Sequence, residues 1–409
     1  MKKMIVKRKM AWITLLAVAL SALLVVTACA PSEGPLPEGK SVVEVGAIPL
    51  LTGGGGSADQ PSFRATADYV RYFNEEIGIP GVSIDLLWRD GQTSIPAVIS
   101  AYRSFADRGV PIMFTNYGTA LEGLTDQLAK DQIVFFTGGP SGPLLVPPGW
   151  VFCAWATEGE SATVILDYFM ENWTEERPPK LQLFILDSLY GWSPVEEITP
   201  YAEGIGFEVL PVEAAPHVVV DASPQLIRIQ AREADLVYIQ HIISGAGPIM
   251  RDVERLGLQD KMQFAGAQWV CGERLIEFSP AGTEGFLAPR SSPWFDDTNV
   301  PGVVTMVDKM MEYHGEVNRV PEAGAGWLYG AVVCEAVRRA VAEVGVENAD
   351  GPAMKRALES FQDFDVEGLA KFTFGPEDRR GDISLAVYQI QGGKLVPVSD
   401  YRDAHILVR

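Results

Sequence analysis

From Ser41 onward the sequence repeats one pattern: a short β-branched run, a turn, then a segment with a helical apolar spacing. Residues 42–48 (VVEVGAI) predict a strand. After the glycine-rich turn, Phe63, Ala67, Val70 and Phe73 recur at spacings of four and three, the mark of a helix with one buried face. Gly78, Pro80 and Gly81 end that helix, and residues 82–88 predict the next strand. A helix over 95–107, a strand over 111–116, a helix over 121–130 and a strand over 133–136 follow. The cadence restarts after Trp155 with a helix whose N-cap is Thr157 and whose third position is Glu160. Strands over 181–186, 207–212, 236–240 and 263–267, with helices between them, complete a second series. Strands alternating with helices make βαβ units, whose right-handed crossovers give a parallel sheet covered on both faces. A chain of 409 residues exceeds one comfortable core, so the expected fold class is α/β, with two open, mostly parallel lobes. The tail departs from the cadence: 372–374, 383–390 and 395–398 are strands without helices between them, and Gln391-Gly392-Gly393-Lys394 suits a hairpin.

The amino terminus carries a different signal. Lys2, Lys3, Lys7, Arg8 and Lys9 precede an apolar run over 11–26 and then Val26-Thr27-Ala28-Cys29. A charged start, a short apolar segment and a small-residue cleavage site describe an export signal. The run is shorter than the roughly 20 residues of a spanning helix. The cysteine directly after Thr27-Ala28 resembles the lipobox of bacterial lipoproteins. That resemblance implies that residues 1–28 are a lipoprotein signal peptide and that the Cys29 thiol is acylated. Residues 29–40 (with PSEGPLPEGK) then form a tether, and the protein is exported and lipid-anchored, facing periplasm or cell exterior. Removing residues 1–28 takes five of the 33 basic residues and no acid, moving the formal charge from −20 to −25. Such a balance excludes nucleic acid, whose binding needs Lys and Arg to neutralise phosphate, and disfavours adhesion to anionic lipid beyond the anchor. A monomer is expected. Cys153, Cys271 and Cys334 are far apart with no C-x-x-C arrangement, which favours buried free thiols and leaves room for one disulfide.

Several motifs invite chemistry and do not sustain it. Gly53-Gly54-Gly55-Gly56-Ser57-Ala58 formally satisfies the dinucleotide fingerprint, as any glycine quartet would, and no Lys-Ser/Thr pair makes it a Walker loop. The loop more simply presents backbone N–H groups and Ser57 to a small ligand. His217, His241, His314 and His405 are dispersed, with no H-E-x-x-H and no metal-ligand spacing. Ser141, in Gly139-Pro140-Ser141-Gly142, is not a nucleophile elbow. No metal, no cofactor and no catalysis are therefore expected. Trp155, Trp192, Trp269 and Trp294 stand near strand ends, where open α/β sheets bind ligands, although large aromatics are as often core.

A run of motifs in register resembles a known family. These are Val45-Gly46-Ala47-Ile48-Pro49-Leu50-Leu51-Thr52-Gly53, Asp90 followed by Phe105-Ala106-Asp107-Arg108-Gly109-Val110, Phe136-Thr137-Gly138-Gly139-Pro140-Ser141, Asp187-Ser188-Leu189-Tyr190-Gly191, and Leu236-Val237-Tyr238 with Ile249-Met250-Arg251 and Leu256-Gly257. Their order resembles the type I periplasmic binding proteins, in the branch named for leucine/isoleucine/valine binding. The resemblance implies the substrate-binding subunit of an ABC importer, partnered by permease and ATPase subunits. It also implies two lobes joined by three hinge crossovers, closing on a small-molecule ligand. Lobe one is then 41–157 with 286–367 and lobe two 158–285 with 368–409, with hinges at Ala156-Thr157, Gly285 and near Gly368. By the same resemblance, Gly118, Thr119, Gly139 and Ser141 take a ligand carboxylate, with Gly118 where the family often has serine, so that a hydroxyl contact there is lost unless Thr119 replaces it. Tyr117, Trp155 and Trp269 give an aromatic lining, and Ser57, Tyr190, His241 and Gln268 complete the candidate site. Gln268 stands where amino-acid binders of this branch carry an acid. The expected ligand is therefore a carboxylate or amide lacking a free α-ammonium, unless Asp187, Glu158 or Glu160 compensates. A tethered ligand-sensing module of the same fold and an exported hydrolase are the alternatives.

Overall fold

A computed structural model describes residues 40–409; the signal segment, Cys29 and nearly all of the tether lie outside the described residues. Two sheets carry the chain. In the first, β1 (Ser41–Ala47), β2 (Val82–Trp88), β3 (Ile112–Phe114), β4 (Val134–Thr137) and β5 (Val151–Trp155) run parallel in the order β5-β4-β3-β1-β2. In the second, β6 (Lys180–Leu186), β7 (Glu208–Val209), β8 (Glu213–Ala215), β9 (Leu236–Gln240), β10 (Gln263–Gly266) and β11 (Leu287–Arg290) are also parallel. Every residue of β3, β4 and β9 is buried, as befits strands with helices on both faces. The tail adds β12 (Phe364–Asp365), β13 (Lys371–Phe372), β14 (Arg380–Asp382), β15 (Ser384–Gln391), β16 (Lys394–Pro397) and β17 (Arg402–Asp403). Of these, β15 runs antiparallel to both β11 and β16, and Gly392 and Gly393, at φ of 56° and 73°, make the predicted hairpin turn. The α/β class and the two mostly parallel sheets match the sequence reading.

Sheet membership places two of the three crossings later than expected. The first comes after Trp155, where Thr157 and Glu160 form the predicted capping box of helix Glu158–Glu171. The second was expected at Gly285, but Leu287–Arg290 pairs with β10 and β15, so the chain leaves the second sheet only after Arg290. The third was expected near Gly368, but Phe372 and Phe374 pack in the first core and β14 pairs with β5, so the crossing falls between Asp382 and Ser384. Gly285 and Gly368 are turn glycines at φ of 79° and 82°, but each turn lies within one sheet's territory.

Two elements break where the sequence suggested continuity. The helix over 121–130 is split at Gly123-Leu124 into Gly118–Glu122 and Thr125–Asp131. The strand over 207–212 is interrupted at Pro211, which has no N–H for a ladder. Helices from 301–359 return to cover the first sheet. Their longest member, Pro321–Val344, presses on helix Gly56–Tyr72 so closely that a Cβ at Gly326 would lie 2.0 Å from the Ser62 carbonyl oxygen. Cys153, Cys271 and Cys334 are buried free thiols. No helix among the described residues is long and apolar enough to cross a membrane.

Candidate functional site

The carboxyl ends of the second sheet's strands converge on Glu158, the first residue of the helix that follows the first crossing. Its carboxylate accepts from Trp269 Nε1 at 2.8 Å, just beyond β10, and from Gln240 Nε2 at 3.4 Å, the last residue of β9. Burial raises its pKa against those two lowering bonds. Around it lie the Tyr238 hydroxyl, which has no partner among the described residues, and the Tyr190 hydroxyl and Gln240 Oε1, which lie close enough to interact but complete no hydrogen bond of ordinary geometry. Burial first, then the charge of Glu158, pushes the Tyr190 phenol well up, and the charge of Glu322 adds to it.

Glu322 comes from the first-sheet side, at the start of helix Pro321–Val344. Burial lifts its carboxyl to about 7, with Arg274 and Arg290 opposing and Asp59 reinforcing the rise. Asp59 is itself buried and accepts from the Leu50 N–H and from Asn116 Nδ2, leaving Asn116 Oδ1 unpartnered. The Tyr329 hydroxyl accepts from Trp155 Nε1 at 3.2 Å and feels Asp59, Glu322 and Glu158 together. Polar groups from both sheets thus face one region, acidic in balance, with unused hydrogen-bonding capacity. A buried polar group left unpaired costs free energy, so such a cluster is poised for a polar ligand.

The residues singled out from sequence divide. Tyr190, Gln268 and Trp269 belong to this region, and Gln268 Oε1 accepts from the Ser291 hydroxyl at 3.1 Å. Of the three acids weighed as compensating for Gln268, Glu158 is the one that stands here, beside Trp269, whereas Glu160 is taken by Arg380 and Asp187 by Trp192. Trp155 does not line a cleft: it is 2% exposed and packs against Tyr329 and Phe372 in the first core. His241 is fully buried, its ring nitrogens against the carbonyls of Ile242 and Pro216, a structural role. Ser57 is exposed in the first turn of helix Gly56–Tyr72, just past the glycine turn, where the Gly55 N–H already donates to Thr93 Oγ1. Tyr117 packs half-buried against the cluster around Tyr102 and Phe135, and Thr119 is half-buried beside it. Gly118 meets Gly139 backbone to backbone: a Cβ at Gly118 would lie 1.9 Å from the Gly139 carbonyl oxygen. Serine has no room there, so no hydroxyl contact has been lost. Ser141 Oγ donates to Glu122 at 2.7 Å, which puts an acid in the expected anion cradle.

Tyr238, Gln240 and Glu322 were not among the sequence candidates, and Glu158 entered only as one of three acids that could compensate for Gln268. Gln240 carried a signal, a polar residue closing the apolar run LVYIQ. Glu158 and Glu322 look like ordinary first-turn helix acids, and only the tertiary fold brings them together. No group of three or more metal-ligating side chains exists among the described residues. A groove of about 400 Å³ lined by Asp107, Val110, Ile133 and Gly351 lies at the amino ends of β3 and β4, away from this region.

A family model described as periplasmic binding protein matches residues 42–394. Among solved structures, a branched-chain amino acid ABC transporter from Thermus thermophilus with bound valine is similar at 21% identity and a TM-score of 0.82, covering 91% of this chain and 98% of that one. A fatty acid ABC transporter substrate-binding protein from Thermomonospora curvata is 16% identical at a TM-score of 0.78, covering 92% and 97%. A possible leucine/isoleucine/valine-binding protein from Rhodopirellula baltica SH 1 is 16% identical at 0.77, covering 90% and 98%. No curated protein matches the sequence. At these identities the solved structures carry the fold, and their ligands, valine and fatty acid among them, differ in chemistry.

Proposed function

The chain belongs to the periplasmic binding protein family, and from that premise we propose that it is the substrate-binding subunit of an ABC importer, capturing a small amino-acid-like ligand between its two sheets. The observation that carries this reading is Glu158, an acid held by Trp269 and Gln240 among the open hydroxyls of Tyr190 and Tyr238. A carboxylate so placed takes a ligand amine, and the hydroxyls and amide complete its hydrogen bonds. Glu322 and Asn116 approach from the other sheet, so a ligand touching both sides favours the closed arrangement of the lobes over the open one. The lobes are the layers around the first and second sheets. The protein binds without turnover, works as a monomer tethered through acylated Cys29 outside the cytoplasm, and hands its ligand to a permease driven by its ATPase.

Thermal-shift screening against amino acids, aromatic acids, amides and polyols, followed by calorimetry, tests the reading, since a ligand bound only to the native state raises the midpoint. The expected result is saturable binding of one amine-bearing class, weakened about tenfold or more by Glu158→Gln, consistent with about 1.5–3 kcal/mol for a charged hydrogen bond. Steady heat from turnover, or binding indifferent to Glu158, would overturn it. For the anchor, mass spectrometry of the native protein is expected to find acylated Cys29 as the first residue; an unacylated terminus downstream of it sinks that part.

A further inference from the structure

Arg290 closes β11 and is only 4% exposed, yet it uses a single donor: Nε donates to the Ser292 carbonyl at 3.3 Å. Its two terminal nitrogens have no hydrogen-bond or ion-pair partner among the described residues. The guanidinium lies 4.5 Å from the centre of the Trp294 ring and 5.9 Å from that of Tyr388. Ring faces attract such a cation, which positions it but occupies none of its in-plane N–H groups. An ionised group taken out of water without a counter-charge is costly, which favours a ligand that supplies one. Glu322 feels the charge of Arg290, but no carboxylate among the described residues lies within ion-pair distance of it.

The chain leads from Arg290 directly into the site. The next residue, Ser291, donates to Gln268, and the neighbour of Gln268 is Trp269, whose indole rests on Glu158. The place where a ligand carboxylate was first expected is less suited to one, because Glu122 already occupies Ser141 there.

We propose that Arg290 is the anion-binding residue of the cleft, its two terminal nitrogens receiving a ligand carboxylate side by side. The inference rests on the ligand-capture reading above and adds the ligand's second pole. A planar guanidinium matches a carboxylate with two parallel hydrogen bonds, which a point charge does not.

The test uses matched acids and primary amides: L-valine and L-valinamide, benzoate and benzamide, octanoate and octanamide. Each is titrated calorimetrically into wild type, Arg290→Met, Arg290→Gln and Glu158→Gln, after circular dichroism has established that each variant is folded. Wild type is expected to bind at least one acid about tenfold or more tightly than its amide, the scale of a charge-assisted hydrogen bond. In the neutral Arg290 variants the acid should fall to its amide's level while the amide is unchanged. An acid-to-amide ratio unaltered in those variants, with Glu158→Gln still weakening binding, overturns the Arg290 assignment and leaves ligand capture standing. A wild type that prefers the amide also overturns the assignment. A wild type that binds none of the six sinks both. Should neither neutral variant fold, Arg290→Lys decides: acid affinity equal to wild type means the guanidinium fork is not used.

Discussion

Two half-buried carboxyls contribute to the protein's response to pH, one residue at a time. Glu197 lies over the start of helix Glu158–Glu171, accepting from the Thr157 hydroxyl; burial lifts it to about 7, with Glu160 and Glu158 reinforcing the rise and Arg380 opposing it. Glu322 is lifted to the same level in the cleft. Both start from an ordinary value of 4.5, so between about 4.5 and 7 the folded protein holds protons that the unfolded chain has released. Stability from these groups is therefore fully present below 4.5 and is lost as pH rises through 7. Glu197→Gln should raise the thermal midpoint at pH 8 and leave it nearly unchanged at pH 5; an equal shift at both values would mean the carboxyl does not titrate as described. The tryptophans separate in the same residue-by-residue way. Trp269 touches the cleft acid, whereas Trp155 is locked in the core. Ligand should change the emission of wild type and of Trp155→Phe alike, and the change should largely vanish in Trp269→Phe.

At the scale of elements, the capping box on helix Glu158–Glu171 was fully legible: Thr157 Oγ1 accepts from the Glu160 N–H and the Glu160 side chain accepts from the Thr157 N–H. Thr157→Ala should cost about 1 kcal/mol in denaturant unfolding, the usual worth of an N-cap. Gly118→Ser tests the opposite case, where sequence analogy misled. Its Cβ would collide with the Gly139 carbonyl, so the variant should lose stability and gain no ligand affinity; tighter binding would restore the lost-hydroxyl account. Strands such as β9 were legible because fully buried parallel strands read as unbroken apolar runs. What stayed hidden depends on long-range pairing. Leu287–Arg290 contains a proline and a charge, and Arg380–Asp382 is two charges around a glycine, so neither resembles a strand until β10, β15 or β5 is beside it. The site was legible only in outline for the same reason: strand ends could be named, and Glu158 with two other acids, but not which of the three would stand there or that Glu322 would face it from the other sheet.

For the whole molecule, the first and third crossings between the two sheets are joined by one buried ion pair. Glu160, fully buried in the helix after the first crossing, takes both Nε and Nη2 of Arg380 at 2.9 Å, and Arg380 sits in β14 just before the third crossing. The same carboxylate accepts the N–H groups of Leu407 and Val408, so the carboxyl-terminal segment is drawn into the junction. Because the pair is out of water, its value lies less in net stability than in what its disruption leaves behind. Glu160→Gln leaves Arg380 with the half-exposed Asp378 at 3.0 Å as its one ion-pair partner and the Val408 carbonyl as a neutral acceptor, and should cost about 3–5 kcal/mol, the range for a buried charge that loses its partner. Arg380→Met should cost a similar amount by orphaning Glu160. The double variant removes both charges and should lose clearly less than the two singles together, because each single change contains the same penalty counted once from either side. Urea unfolding of the four proteins measures this directly. Strictly additive losses would mean that Glu160 and Arg380 act on the two sheets independently, and that the crossings are not held as a unit.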